Sequence, residues 1–279
     1  MSSNNWLRFF VGKGIDKKFP LIHSLGVNLL KLFQRSKFAT YKTDSGALIE
    51  YDPSLSGVGF FLSNFNEYEP YTTSFLSKLI KNTSGDFIDA GANVGYYTII
   101  AGKINPKIKI LAIEPETVNL GFLKRNIQLN KIKNVQVFEG IANNRTGKAT
   151  LFISPNSSGE HSTVIKNNKK LLVNSTTIDE LVKKLNLSPS IIKIDVEGAE
   201  GDVIKGSIRT INKYRPDLIF EYSLRNKNNP SIFKQLSQNG YHFLIIDEKN
   251  KRQTLTSPEA LSPILKDTTY VNLFASTKS

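Results

Sequence analysis

The chain has 279 residues and a net charge of +13, from 37 Lys and Arg against 24 Asp and Glu. It contains no cysteine, which excludes disulfides, thiolate catalysis and zinc–thiolate sites. No apolar run reaches the roughly 18 residues of a membrane span, and a chain this long can bury a large core without staples.

The basic residues are scattered, as in Lys166, Lys169 and Lys170 or Lys249, Lys251 and Arg252. They are not interleaved with aromatics as in single-strand binders, so a nucleic-acid substrate is disfavoured. The excess charge is read as an aid to a phosphate-bearing or lipid-linked acceptor, or to solubility.

In chain order, residues 1–85 are expected to form an N-terminal cap. The first ten, MSSNNWLRFF, lack a basic stretch followed by an apolar core, so no signal peptide is expected and the location is cytoplasmic. Residues 21–33 (LIHSLGVNLLKLF) have helical apolar spacing and predict a capping helix. The same face would suit peripheral contact with the inner side of a membrane. Short strands are predicted over 47–52 and 58–62, then a helix over 69–81. Glu69 and Tyr71 stand where a cofactor could be met from outside the sheet.

The stretch 87–95, FIDAGANVG, is an apolar strand ending in Asp89, a tight turn with Gly91 and Gly95, and the start of a helix. This arrangement lays backbone against a nucleoside-bearing cofactor at the carboxyl end of a parallel strand. Gly91 lets the chain turn sharply, and Gly95 is expected to let helix and ligand approach closely. A dinucleotide fingerprint needs a middle glycine where Asn93 stands, so no pyrophosphate fits. Asp89 instead suits a cationic amino group, which points to S-adenosylmethionine.

Strand 109–115 (KILAIEP) ends in Glu114, placed to accept hydrogen bonds from both hydroxyls of a ribose. Strand 135–139 follows, and Ile141 and Ala142 just past it would flank an adenine. Two strands, 148–154 and 171–175, bracket a polar loop in an insertion over 148–176. That loop carries His161, a candidate base; His23 and His242 are read as structural. A helix is predicted over 178–185.

The stretch 191–200, IIKIDVEGAE, opens with an apolar strand, IIKID, that delivers Asp195 to the same sheet edge, with Glu197 two residues on. A cluster of carboxylates there is costly unless it serves ligands or is paired. The helix dipole accounts for Glu200 and Asp202 but not for Asp195. A helix over 232–239 and strands 241–246 and 270–275, joined by a polar connection, close the sheet.

FIDAGANVGYYT, AIEP, IIKIDVEGAE and RPDLIFE, in this order and spacing, resemble the FkbM family of S-adenosylmethionine-dependent methyltransferases over residues 68–245. The resemblance implies an α/β fold: a class I methyltransferase, Rossmann-like sheet, mostly parallel with an antiparallel C-terminal strand. The methyltransferase domain would span 86–279. It further implies that Asp89, Gly91, Asn93 and Gly95 hold the methionine part of the cofactor and Glu114 the ribose. Asp195 and Glu197 would face the methyl group and a small-molecule or carbohydrate hydroxyl.

Two ways of activating that hydroxyl stay open. Asp195 or His161 could take its proton, or Mg²⁺ on Asp195, Glu197 and Glu221 could lower its pKa; no metal ligand set is assigned. RNA or protein methylation and a catalytically silent binding module are the other functional classes.

Overall fold

A computed structural model describes residues 38–53, 57–153, 169–223, 229–250, 252–257, 260, 261, 264, 265 and 270–278. The helix expected over 21–33 and the loop bearing His161 lie outside them. Among the described residues, no helix is long and apolar enough to cross a membrane.

An eight-stranded sheet organises the molecule. Its spatial order is β5 (Val135–Glu139), β4 (Ile110–Glu114), β3 (Asp86–Ala90), β9 (Pro189–Ile194), β10 (Asp217–Ser223), β13 (Tyr270–Ser276), β11 (His242–Asp247) and β12 (Arg252–Thr256). The first five run parallel, and β13 lies antiparallel between β10 and β11. Every residue of β3 and β4 is buried, as expected for parallel strands covered on both faces.

From β3 the chain steps outward to β4 and β5, then returns to β9 and β10 on the other side. The strand order therefore reverses between β3 and β9. In open α/β sheets, ligands bind outside the carboxyl ends at this switch point.

Alternation along the strands divides the core. Ile88, Ile113, Ile192, Ile194 and Phe220 pack on one face with Val203 and Ile204 of α6 (Glu200–Lys205). Phe87, Ile110, Ile191 and Ile219 pack on the other. There they meet Leu76 of α2 (Pro70–Asn82), Ile99 of α3 (Tyr96–Ile104) and Phe122 of α4 (Thr117–Leu129).

The hairpin β1 (Ala39–Lys42) and β2 (Leu48–Tyr51) contributes Ala47, Ile49 and Tyr51 to that second core. Its edge is closed by side chains. Asn126 Oδ1 accepts from Glu50 N–H at 2.7 Å and Asn130 Oδ1 from Leu48 N–H at 2.8 Å, while both amides donate back to the strand. Asn126 of α4 and its C-cap Asn130 thus substitute for a neighbouring strand and satisfy polar groups that burial would otherwise orphan.

Three small strands stand apart: β6 (Ile141–Ala142), β7 (Gly147–Ile153) and β8 (Lys169–Thr176). β7 and β8 realise the two expected insertion strands, and β6 is an addition to them. The helix α5 (Ile178–Leu185) follows, and its N-cap Thr177 accepts from Glu180 N–H.

Two expectations are corrected. Residues 58–62 are not a strand but the start of helix α1 (Val58–Phe65). From Phe60 on, the buried Phe60, Leu62 and Asn64 alternate with less buried neighbours, which imitates a strand. The helix nevertheless ends in a left-handed Asn66 whose N–H donates to Leu62 O. The connection before β13, expected only as polar, also holds a strand, since β12 pairs with β11 as an added edge strand. Its polar sequence, RQTLT, fits an exposed edge and conceals a strand from periodicity.

Candidate functional site

The turn after β3 is built from left-handed residues. Gly91, Asn93 and Gly95 have φ of 86, 52 and 89°. Gly91 and Ala92 both donate their N–H to Ile113 O at 3.0 Å, which ties the turn to the end of β4.

The two glycines serve different ends. A Cβ at Gly91 would lie 1.8 Å from the carbonyl oxygen of Asp195, so only glycine lets β3 close against the chain leaving β9. A Cβ at Gly95 would lie 2.6 Å from Leu123 Cδ1. The close approach expected at Gly95 is therefore between the helix start and α4, not toward a ligand.

Glu114 anchors the same turn. Its Oε2 accepts from Asn93 N–H at 2.8 Å and its Oε1 from Glu116 N–H at 2.9 Å. Burial raises its carboxyl to about 7, against the opposing pull of those two amides. A side-chain hydrogen bond from Asn119 also pulls it down, so three donors share the roughly four acceptor sites of this carboxylate.

A cavity opens at the switch point. Gly91, Asn93 and Glu114 form one wall, Ile141 and Ala142 the second, and Asp195 and Glu197 the third. Seven of the residues singled out from sequence thus converge on one space. Asp89 and Gly95 are not on its wall. Asp89 is 1% exposed; Thr98 Oγ1 donates to its Oδ2 at 2.6 Å, and its Oδ1 is buried with no partner. Burial raises its carboxyl, partly offset by Lys193.

Residues 89–243 match the Methyltransferase FkbM domain family, more than half of the chain. The chain belongs to the FkbM methyltransferase family. It is similar to Methyltransferase 1 of Beauveria bassiana, at 28% identity over 142 residues, covering 43% of this chain and 57% of that protein. It is also similar to Methyltransferase sdnD of Sordaria araneosa, at 29% over 152 residues, covering 43% and 59%. The chain thus spans little more than half the length of these curated relatives. The fold is shared with the SAM-dependent methyltransferase of Agrobacterium tumefaciens, with TM-score 0.51, 7% identity and coverage of 88% of this chain and 72% of that one.

On the far side of the cavity, this FkbM chain gathers acids around one lysine. Lys193 interrupts the apolar run of β9 and is 4% exposed. Its Nζ donates to Asp195 Oδ2 at 2.8 Å and lies 4.7 Å from the centroid of the Tyr97 ring. Burial acts to lower its pKa, yet the charges of Asp195, Asp89 and Glu69 hold it above the usual lysine range. Sequence reasoning did not assign it a role; the only signal was a lone charge in an otherwise apolar strand.

Glu69 joins from outside the sheet, accepting from Tyr97 Oη–H at 2.6 Å and Asn272 Nδ2 at 3.1 Å. Tyr71 sits instead at the start of α2, where its N–H donates to Glu248. One oxygen each from Asp195, Glu197 and Glu221 lie within 4.8 Å of one another. Glu221 is pushed up to about 9 by burial, then by Asp195 and Glu200. Glu200 is raised to about 7, chiefly by burial.

These shifts set a direction for stability. Glu114, Glu200 and Glu221 all have folded-state values above the unfolded 4.5. The folded chain therefore holds protons that the unfolded chain has released. That stabilisation is complete below about pH 4.5 and fades as pH rises through about 7 and then 9. Without ligands, the urea midpoint at pH 6 is expected to exceed that at pH 8. A higher midpoint at pH 8 would mean that these carboxyls ionise normally in the fold.

Proposed function

We propose that this chain is an S-adenosylmethionine-dependent O-methyltransferase acting on a hydroxyl of a sugar, a glycolipid or a secondary metabolite. The observation that carries this reading is the convergence of Glu114, the Gly91–Gly95 turn, Ile141 and Asp195 on one cavity at the sheet's switch point.

The residues fit the cofactor. Glu114 keeps acceptor capacity for a ribose hydroxyl, and Ile141 and Ala142 offer an apolar flank for adenine. The buried Asp89 Oδ1 lacks a partner and lies behind the turn that would hold the ammonium group. No helix N-terminus with a free glycine loop is offered to a pyrophosphate, because Asn93 occupies that position.

When bound, the cofactor supplies an already activated sulfonium methyl. The chain's task is then to place the acceptor oxygen in line with it and to receive the hydroxyl proton. Asp195 is assigned that proton. Lys193 holds its Oδ2 and orients the carboxylate, which leaves Oδ1 for the acceptor. The proton passes from Asp195 to solvent after transfer, and the products are the methyl ether and S-adenosylhomocysteine.

The test is calorimetric titration with S-adenosylmethionine and S-adenosylhomocysteine, followed by an acceptor screen over glycans and glycolipids. Asp195→Asn is expected to keep S-adenosylhomocysteine binding and lose turnover. No heat from either ligand, in the presence or absence of acceptors, would sink the reading.

A further inference from the structure

We propose that Asp195, Glu197 and Glu221 form a divalent-cation site that receives the acceptor hydroxyl. The proposal rests on the methyltransferase reading and specifies how that site would bind its acceptor.

The sheet brings the ligands together. Phe220 is in register with Ile194 across the parallel pair β9 and β10, so Asp195, just past the end of β9, lies beside Glu221 of β10. The chain then turns at Glu197 and carries its carboxylate back over the same edge. One oxygen from each of the three lies within 4.8 Å of the others. A cation with oxygen ligands at about 2.1–2.5 Å would draw three oxygens to roughly this spacing.

A buried acid beside the three is an independent sign. Glu200 is 1% exposed. Its Oε1 accepts from the N–H groups of Val196 (3.3 Å) and Gly198 (3.0 Å), on either side of Glu197. Its Oε2 is buried with no partner, and its charge acts on both Asp195 and Glu221. An orphaned carboxylate oxygen in this position lacks a positive neighbour. Lys193 Nζ bonds Asp195 Oδ2 and does not reach this oxygen.

Asp195, Glu197, Glu221 and Glu200 therefore crowd one half-buried cleft, where a bound cation would lower the mutual cost of their charges. The donor set decides which cation. It is all carboxylate oxygen, with neither histidine nor sulfur, which suits Mg²⁺, Mn²⁺ or Ca²⁺ rather than Zn²⁺ or Cu²⁺. Three protein ligands leave positions for water and for the acceptor. An acceptor with two neighbouring oxygens would chelate there, and its coordinated hydroxyl would lose its proton more easily.

The experiment uses the full chain, stripped of metal with a chelator and titrated with Mn²⁺. Free Mn²⁺ is read by electron paramagnetic resonance. One ion per chain is expected to bind. Glu221→Gln and Asp195→Asn are each expected to weaken it roughly tenfold or more, and Glu200→Gln by a smaller factor. Glu180→Gln, on an exposed face of α5, is expected to leave it unchanged.

S-adenosylhomocysteine binding, measured on the same samples, reports folding and tests the methyltransferase reading separately. Binding of that ligand with no bound Mn²⁺ overturns the cation site. So does Mn²⁺ binding that is equal in wild type, Glu221→Gln and Asp195→Asn. Mn²⁺ binding that depends on these residues, without S-adenosylhomocysteine binding, upholds the cation site and overturns the methyltransferase reading.

Discussion

Gly91→Ala is expected to destabilise the protein by about 3–5 kcal/mol, one of the largest effects available to a single methyl group here. Two costs add. The residue sits at φ 86°, a conformation that costs an L side chain about 1–2 kcal/mol. The larger cost is a collision, because the new Cβ would lie 1.8 Å from the backbone oxygen of Asp195. No flexible side chain can yield there, so one strand end must move. That movement would strain the bond from Asp195 N–H to Ala90 O and shift Asp195 itself.

Gly46→Ala is the matched control. Gly46 has φ 77°, but a methyl group added there would meet nothing within 4 Å, so only the conformational cost, about 1 kcal/mol, is expected. Urea denaturation of both variants separates the two costs. Equal losses would show that β3 and the chain leaving β9 do not approach this closely.

Glu114→Gln is expected to weaken S-adenosylhomocysteine binding roughly a hundredfold, about 3 kcal/mol. The substitution preserves shape but changes donors and acceptors. The wild-type carboxylate accepts from Asn93 and Glu116, and a glutamine NH₂ would face one of those N–H groups. The turn would loosen and one ribose hydroxyl would lose its acceptor.

The pH dependence carries the same signature. Glu114 ionises at about 7, and ribose hydroxyls donate to its ionised form. Wild-type affinity is therefore expected to fall as pH drops below about 7, by up to roughly tenfold per unit, and to level off above it. The glutamine variant should lack this dependence. Calorimetry across pH 5.5 to 8.5 (about three units, bracketing this value) decides it. An unchanged affinity in Glu114→Gln would remove Glu114 from the cofactor site.

The cofactor half of the site was legible because its signals are local. An apolar run, an acid at its end and glycines in the turn lie within nine residues at 87–95. Glu114 and Asp195 end equally apolar runs. Helix α1 and strand β12 were not legible for the opposite reason. The burial of α1 alternates like a strand, and β12 has too little apolar character to declare itself.

The sequence by itself determined the order of strands, the acids that end them and the family to which the chain belongs. These follow from hydrophobic runs, whose burial on both faces leaves little choice of element. Tertiary structure alone decided which acids meet. Glu221 is 26 positions from Asp195 in sequence and joins it only because β9 and β10 pair in parallel at Ile194 and Phe220. The Lys193–Asp195 pair and the orphaned Glu200 oxygen likewise depend on strand alternation and on a turn that folds back over the sheet edge. Register places these charges together, and low local dielectric then makes their balance matter.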